Sequence, residues 1–212
     1  MPDLLTNLNN TLENNGFRSA SYNSLFDALI HAGPDHIEGL SYAYCEIRRR
    51  GRDGIISKAD RICEERNLVP IPWISEARAV LGVLDPPPSR NYRASTYVIL
   101  RDGYTETNGS YGAYVGVTTK TPDERLQEHL TPGHPRAAAG LPAHGKCLLR
   151  TLMHPFVKVP ARKRLQYETS LHLALSLAIP KVTGDIQNDY LKWLPEFQPG
   201  LTDALESESA FY

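Results

Sequence analysis

The sequence predicts an α+β protein: an N-terminal helical domain, then a small domain with a central mixed or antiparallel sheet flanked by helices. Three observations carry that class. Before residue 85 the apolar residues recur at helical spacing. Asp85-Pro86-Pro87-Pro88-Ser89 is then a stiff polyproline stretch that marks a boundary. Beyond it, Tyr97-Val98-Ile99-Leu100 and Tyr114-Val115-Gly116-Val117-Thr118 are rich in β-branched and aromatic residues. They bracket a segment of Gly, Asn, Asp and Ser with the composition of a hairpin connection. The expected division is 1–84 helical, 85–93 linker, 94–190 the mixed domain, and 191–212 an acidic tail, flexible from Asp203 to Tyr212.

Residues 1–20 are polar and Asn-rich, the composition of a loosely held arm or a short helix. Leu25, Ala28 and Leu29 give 22–32 an amphipathic spacing, which Gly33-Pro34 ends. A second helix is predicted over 37–50, closing in the basic run Arg48-Arg49-Arg50-Gly51-Arg52. Arg48 and Arg49 are candidate phosphate contacts. A solvated helix end favoured by the macrodipole accounts for the same run. Two further helices, 57–67 and 74–81, are joined by LVPIPW. Its two prolines suit core packing better than the compact turn of a helix-turn-helix reader.

In the mixed domain, Thr121-Pro122-Asp123-Glu124 reads as a helix start, with Thr as N-cap, Pro at the first helical position and Glu closing a capping box. Arg125 and His129, four residues apart, share a face of that helix, and Pro132-Gly133 stops it. A hairpin symmetric about residues 105 and 106 would set Tyr97 directly opposite Tyr114. Gly116 inside a strand implies a bulge or a close approach by another backbone or a ligand. Residues 131–146 form an irregular excursion of a length commonly functional, and FVKV (156–159) reads as a strand. A long helix over 160–178 carries the apolar stripe Leu171, Ala174, Leu175 and Ala178, and Glu168 falls on or beside it. A carboxylate there is costly unless paired or bound to a metal; a Glu at the stripe's edge reaching water is the alternative. Arg162, Lys163 and Arg164 sit in the first turn, where the dipole disfavours cations. A phosphate ligand would compensate, as would solvent exposure.

Composition sets limits. With 41% hydrophobic and 22% charged residues, the chain is an ordinary globular protein. No apolar run reaches membrane-spanning length, so no membrane partner is expected. MPDLLTNLNN lacks the basic start and apolar core of a secretory signal. Three widely spaced cysteines, Cys45, Cys63 and Cys147, favour reduced thiols and a cytoplasmic location. The net charge of −1 hides an asymmetry: 94–185 carries eleven basic against seven acidic residues, and 186–212 one against five. That suits a nucleic-acid groove in the middle of the chain. No P-loop, G-x-G-x-x-G or G-x-S-x-G pattern occurs. His134 and His144-Gly145-Lys146-Cys147 offer zinc ligands, but with no paired C-x-x-C and no clear fourth ligand.

The order of these residues resembles the core of the GIY-YIG nuclease superfamily, over residues 95 to about 190. Ser95-Thr96-Tyr97 stands where that family has its first triplet and Tyr114-Val115-Gly116 where it has its second. Arg125 falls at the distance of the family arginine, within an R-x-x-x-H pattern completed by His129. Glu168 is the candidate for the glutamate of a later helix. The resemblance implies a metal-dependent endonuclease that hydrolyses phosphodiester bonds in DNA. Glu168 would bind Mg²⁺ or Mn²⁺, Arg125 would stabilise phosphate charge, Tyr97 or Tyr114 would orient or deprotonate the water, and His129 would serve as a base. Gly116, Arg162, Lys163, Arg164, Arg48 and Arg49 would approach the nucleic acid. The asparagine that usually follows the family's glutamate has two stand-ins, Lys181 near the usual distance and Asn188 twenty residues on. The first triplet differs from Gly-Ile-Tyr at both positions before the tyrosine. That keeps a second reading open: a module of this fold that binds nucleic acid or protein without cutting. RNA also stays open as substrate. A stand-alone restriction or defence enzyme is the expected setting, and such enzymes often form homodimers.

Overall fold

The computed structural model describes residues 4–5, 8–88, 91–103, 111–153 and 156–209, and the chain divides into two compact units, Met1–Ser75 and Glu76–Tyr212. The class is α+β, with eleven α-helices and one four-stranded mixed sheet among the described residues. No helix among them is long and apolar enough to cross a membrane.

The first unit is helical: α1 (Leu8–Glu13), α2 (Gly16–Ser19), α3 (Tyr22–His31), α4 (Ile37–Arg50) and α5 (Asp53–Glu65). The Ser21 hydroxyl accepts the Ser24 N–H at 3.1 Å and so starts α3. Leu25, Ala28 and Leu29 of α3 and Leu40, Ala43 and Ile47 of α4 are buried in its core. Helix α5 begins four residues before its predicted start, with Asp53 in the first turn where the dipole favours an acid. Arg49 donates to both oxygens of the buried Glu46, at 2.9 and 2.6 Å. Arg48 donates to the Tyr44 hydroxyl at 3.1 Å and lies 3.8 Å from Asp60. Both candidate phosphate contacts are thus engaged within this unit. Arg50 and Arg66 hold the carbonyls of Ala20 and Leu29.

Helix α6 (Ile74–Val80) spans the boundary, which falls ahead of the Pro-rich stretch. That stretch is not a free linker. The Asp85 N–H donates to Gln198 Oε1 at 2.6 Å, and Gln198 Nε2 donates back to the Asp85 carbonyl at 3.0 Å.

The second unit contains β1 (Ser95–Arg101), β2 (Gly112–Thr118), α7 (Pro122–Leu130), α8 (Leu141–His144), β3 (Gly145–Leu148), α9 (Arg164–Ser176), β4 (Val182–Thr183), α10 (Tyr190–Phe197) and α11 (Pro199–Ser209). The sheet order is β3-β1-β2-β4, with β1 antiparallel to β2 and β3, and β4 parallel to β2. Helix α9 packs on β1 and β2. Val98, Ile99, Leu100, Val115, Leu171, Ala174 and Leu175 are buried in the core of this unit.

Several expectations need correction. FVKV is no strand: Val159 makes one isolated bridge to Ala94, while the Phe156 carbonyl accepts from both the N–H and the hydroxyl of Thr96. The short strands β3 and β4 were not predicted. The supposed acidic tail is helical as far as it is described, because Leu194, Phe197 and Leu201 recur at helical spacing. Leu194 and Leu201 are buried, and the Phe197 ring meets Tyr167 edge-on at 4.9 Å. The hairpin connection expected at 104–110 and the last three residues lie outside the described residues.

Candidate active site

Strands β1 and β2 pair Tyr97 with Gly116 and Ile99 with Tyr114. The tyrosines are therefore diagonal neighbours on one face, not direct partners as hairpin symmetry implied. Their ring centroids are 6.1 Å apart. The Tyr97 ring covers Gly116: a methyl at that position would stand 2.3 Å from the phenolic oxygen. The close approach that requires glycine is thus made by a side chain. Gly116 is buried and offers no surface to a nucleic acid, correcting its assignment.

Helix α7 starts with the predicted capping box, in which the Glu124 N–H donates to Thr121 Oγ1 at 3.2 Å and the Thr121 N–H to Glu124 Oε2 at 2.9 Å. One turn beyond Arg125, His129 is fully buried, its ring 5.7 Å from that of Tyr97 and 5.2 Å from that of Tyr114. Its Nε2 lies 2.8 Å from Tyr97 Oη, and its Nδ1 accepts the Ala138 N–H at 3.0 Å. A neutral imidazole has one donor and one acceptor nitrogen, so the proton sits on Nε2 and is donated to Tyr97. Burial, and then the charge of Arg125, hold the imidazole pKa down at about 4. With its lone pair occupied by Ala138, His129 does not fit the base assigned to it. It positions Tyr97. The irregular 131–146 excursion supplies the peptide group that makes this so.

Arg125 Nη1 donates to Glu128 Oε2 at 2.9 Å, and Lys120 pairs with the other oxygen of the same carboxylate. Lys120 first, then Arg125, pull the Glu128 pKa down to about 2. The charge of Arg125 also acts on the Tyr97 hydroxyl, opposing the rise in its pKa. Tyr97 is only 1% exposed, and burial, reinforced by Tyr114, drives its pKa far up. Tyr114 is half-buried, so it is the tyrosine of this pair that meets solvent. Burial raises its pKa too; Glu168 and Asp185 add to the rise and Arg125 opposes it.

Glu168, on α9, is 5% exposed. Burial and then Asp185 push its pKa up to about 8, against the opposing charge of Arg164. One turn on, His172 is 6% exposed, and its Nδ1 has no hydrogen-bond partner among the described residues. Burial lowers its pKa. The chain reaches this face of α9 just after β4. Gly184 has φ +134°, and a Cβ there would stand 2.3 Å from the Val115 carbonyl and 3.4 Å from His172 Nδ1. The Gln187 N–H donates to Thr169 Oγ1 at 3.1 Å. Asp185 lies between these two points, and its charge acts on both Glu168 and His172.

Tyr97, Tyr114, Arg125, His129 and Glu168 therefore form one electrostatically coupled cluster. The sequence reading missed His172 and Asp185. The available signals were the four-residue step from Glu168 to His172 and the glycine preceding Asp185. Lys181 and Asn188 are exposed, and Asp185, between them in the chain, is the residue whose charge acts on Glu168. Of the basic triplet, Arg164 is the one whose charge reaches Glu168. Arg162 is exposed, and the Lys163 ammonium lies 5.2 Å over the Phe197 ring. His134 Nδ1 accepts the Arg136 N–H at 3.2 Å. Among the described residues no group of three or more His, Cys, Asp or Glu is arranged to hold a metal ion.

The arrangement joins a half-buried tyrosine, a fixed guanidinium and a carboxylate kept out of water. No protein-family model, curated protein or solved structure matches the chain.

Proposed function

We propose that this chain is a metal-dependent endonuclease of the GIY-YIG type, hydrolysing phosphodiester bonds in DNA. The observation supporting this most strongly is the convergence of Tyr97, Tyr114, Arg125 and His129 with a buried Glu168 across β1, β2, α7 and α9. Hydrolysis needs a water held in line with the leaving oxygen and positive charge on the phosphate. Tyr114, the less buried of the two tyrosines, orients the water, while the Tyr97 and His129 rings pack against its ring. Arg125, fixed by Glu128, offers its remaining N–H groups to phosphate oxygens in a planar fork. Arg164 adds positive charge at the rim.

A hard divalent cation fits the oxygen donors here. Mg²⁺ and Mn²⁺ keep several waters and need only one or two carboxylates together with phosphate oxygens. Glu168 would hold the ion, which when bound neutralises charge on the scissile phosphate.

The test is cleavage of plasmid, single-stranded DNA and RNA with Mg²⁺, Mn²⁺ or chelator, by the wild type and Glu168→Gln. Metal-dependent cutting by the wild type, lowered about 100-fold or more in the variant, is the expected result. Equal cutting by both proteins would remove Glu168 from the reaction. DNA binding without any cutting, on genomic DNA as well, would favour the non-cutting module.

A further inference from the structure

The α9 side of the cluster holds two groups for which the proposed chemistry has no use so far, His172 and Asp185. His172 is nine-tenths buried with an unpartnered Nδ1, and such atoms are rare because each forfeits a hydrogen bond it had in water. That nitrogen faces Gly184, since a methyl on Gly184 would stand 3.4 Å from it. Asp185 is the next residue, and its carboxylate is exposed. The segment is anchored on both sides of Asp185, at Gly184 against the Val115 carbonyl and at Gln187 to Thr169. Glu168 lies one turn before His172, on the same face of α9.

We propose that Asp185 is a second carboxylate ligand of the divalent cation held by Glu168, and that with the ion bound the His172 Nδ1–H, unpartnered in this structure, donates to Asp185 and orients it. This rests on the metal-dependent reading above. Two carboxylates with water in the remaining positions are the donor set of a hard cation, and a ligating carboxylate is itself held by a hydrogen bond. His172 acts through Asp185 and is a positioning residue. The Gly184 backbone, which admits no side chain here, runs against His172 one residue before Asp185.

The experiment is Mn²⁺ binding, followed by the paramagnetic resonance of the free ion, with the full chain and no nucleic acid. Wild type, Asp185→Asn, Asp185→Glu and His172→Gln are compared, with metal-free thermal denaturation alongside. Asp185→Asn should bind Mn²⁺ at least about 10-fold more weakly, and His172→Gln several-fold more weakly. Asp185→Glu should recover part of the loss, and none of the metal-free melting temperatures should explain the ranking. Wild-type affinity in Asp185→Asn would overturn the proposal, and nuclease activity in that same protein would leave the functional reading standing. Mn²⁺ binding that depends on Asp185, in a protein that cuts nothing, would leave the site standing and remove the nuclease. No Mn²⁺ binding by the wild type would overturn the proposal and leave the functional reading to the cleavage test.

Discussion

The two halves of the site differ in how completely their polar groups are satisfied. On the β1–β2–α7 side, His129 is bonded at both nitrogens, Tyr97 is bonded to His129, and Arg125 is fixed by Glu128. On the α9 side, a carboxyl sits in a low-dielectric environment and an imidazole nitrogen has no partner among the described residues. The first half is preorganised and has little to gain from a ligand. The second holds groups whose burial costs stability until something arrives to compensate.

The halves also respond oppositely to pH. The His129 pKa is lowered in the folded chain, so its contribution to stability is full above about 6.5 and lost as pH falls to about 4. The Glu168 pKa is raised, so its contribution is full below 4.5 and lost as pH rises to about 8.

The largest effect should come from breaking the unsatisfied half. Glu168→Gln, besides losing cleavage, should remove the fall in metal-free stability between pH 5 and 8 that the wild type shows in thermal denaturation. An unchanged pH dependence would mean that Glu168 is hydrated and that the contrast between the halves is false. Next comes the satisfied half. His129→Ala should cost about 2–4 kcal/mol by chemical denaturation, because it opens a cavity and strips Tyr97 of its donor. His129→Gln should recover part of that, and in the wild type NMR should find the Nε2–H tautomer. A protonated imidazole at pH 6 would contradict the assignment. Gly116→Ala should cost about 1–3 kcal/mol, by forcing Tyr97 off the strand. A melting temperature equal to wild type would show that the ring has room to move. Smallest is Lys120→Ala. Arg125 keeps Glu128, so the cleavage rate should change by less than about 3-fold. A larger loss would make Lys120 part of the phosphate grip.

Where function concentrates, the sequence was legible in residue type and less so in geometry. The capping box, the Arg125–His129 face and the burial of Glu168 follow from local spacing, and all three occur. Tyr97 and Tyr114 share a face as period two requires, but their offset depends on a connection whose length cannot be turned into a register from composition. The role of His129 was misread because Ala138, the residue that fixes its proton, is an alanine in an irregular segment. Its backbone N–H is invisible to any search for functional side chains. Asp185 was overlooked because β4 is two residues long and pairs in parallel, a contact made at long range with no periodic trace. The C-terminal helices were hidden by their acidic composition, although the spacing of Leu194, Phe197 and Leu201 carried the signal.

The clasp between Asp85 and Gln198 ties together residues 113 positions apart. The start of the second unit is therefore closed by a residue made long after every member of the candidate site. As the chain leaves the ribosome, Tyr97, Arg125 and Glu168 all emerge before the group that satisfies the Asp85 peptide. Any fragment ending before Gln198 leaves that peptide to water, so the segment read from sequence as an acidic tail defines where this unit can be cut and still close.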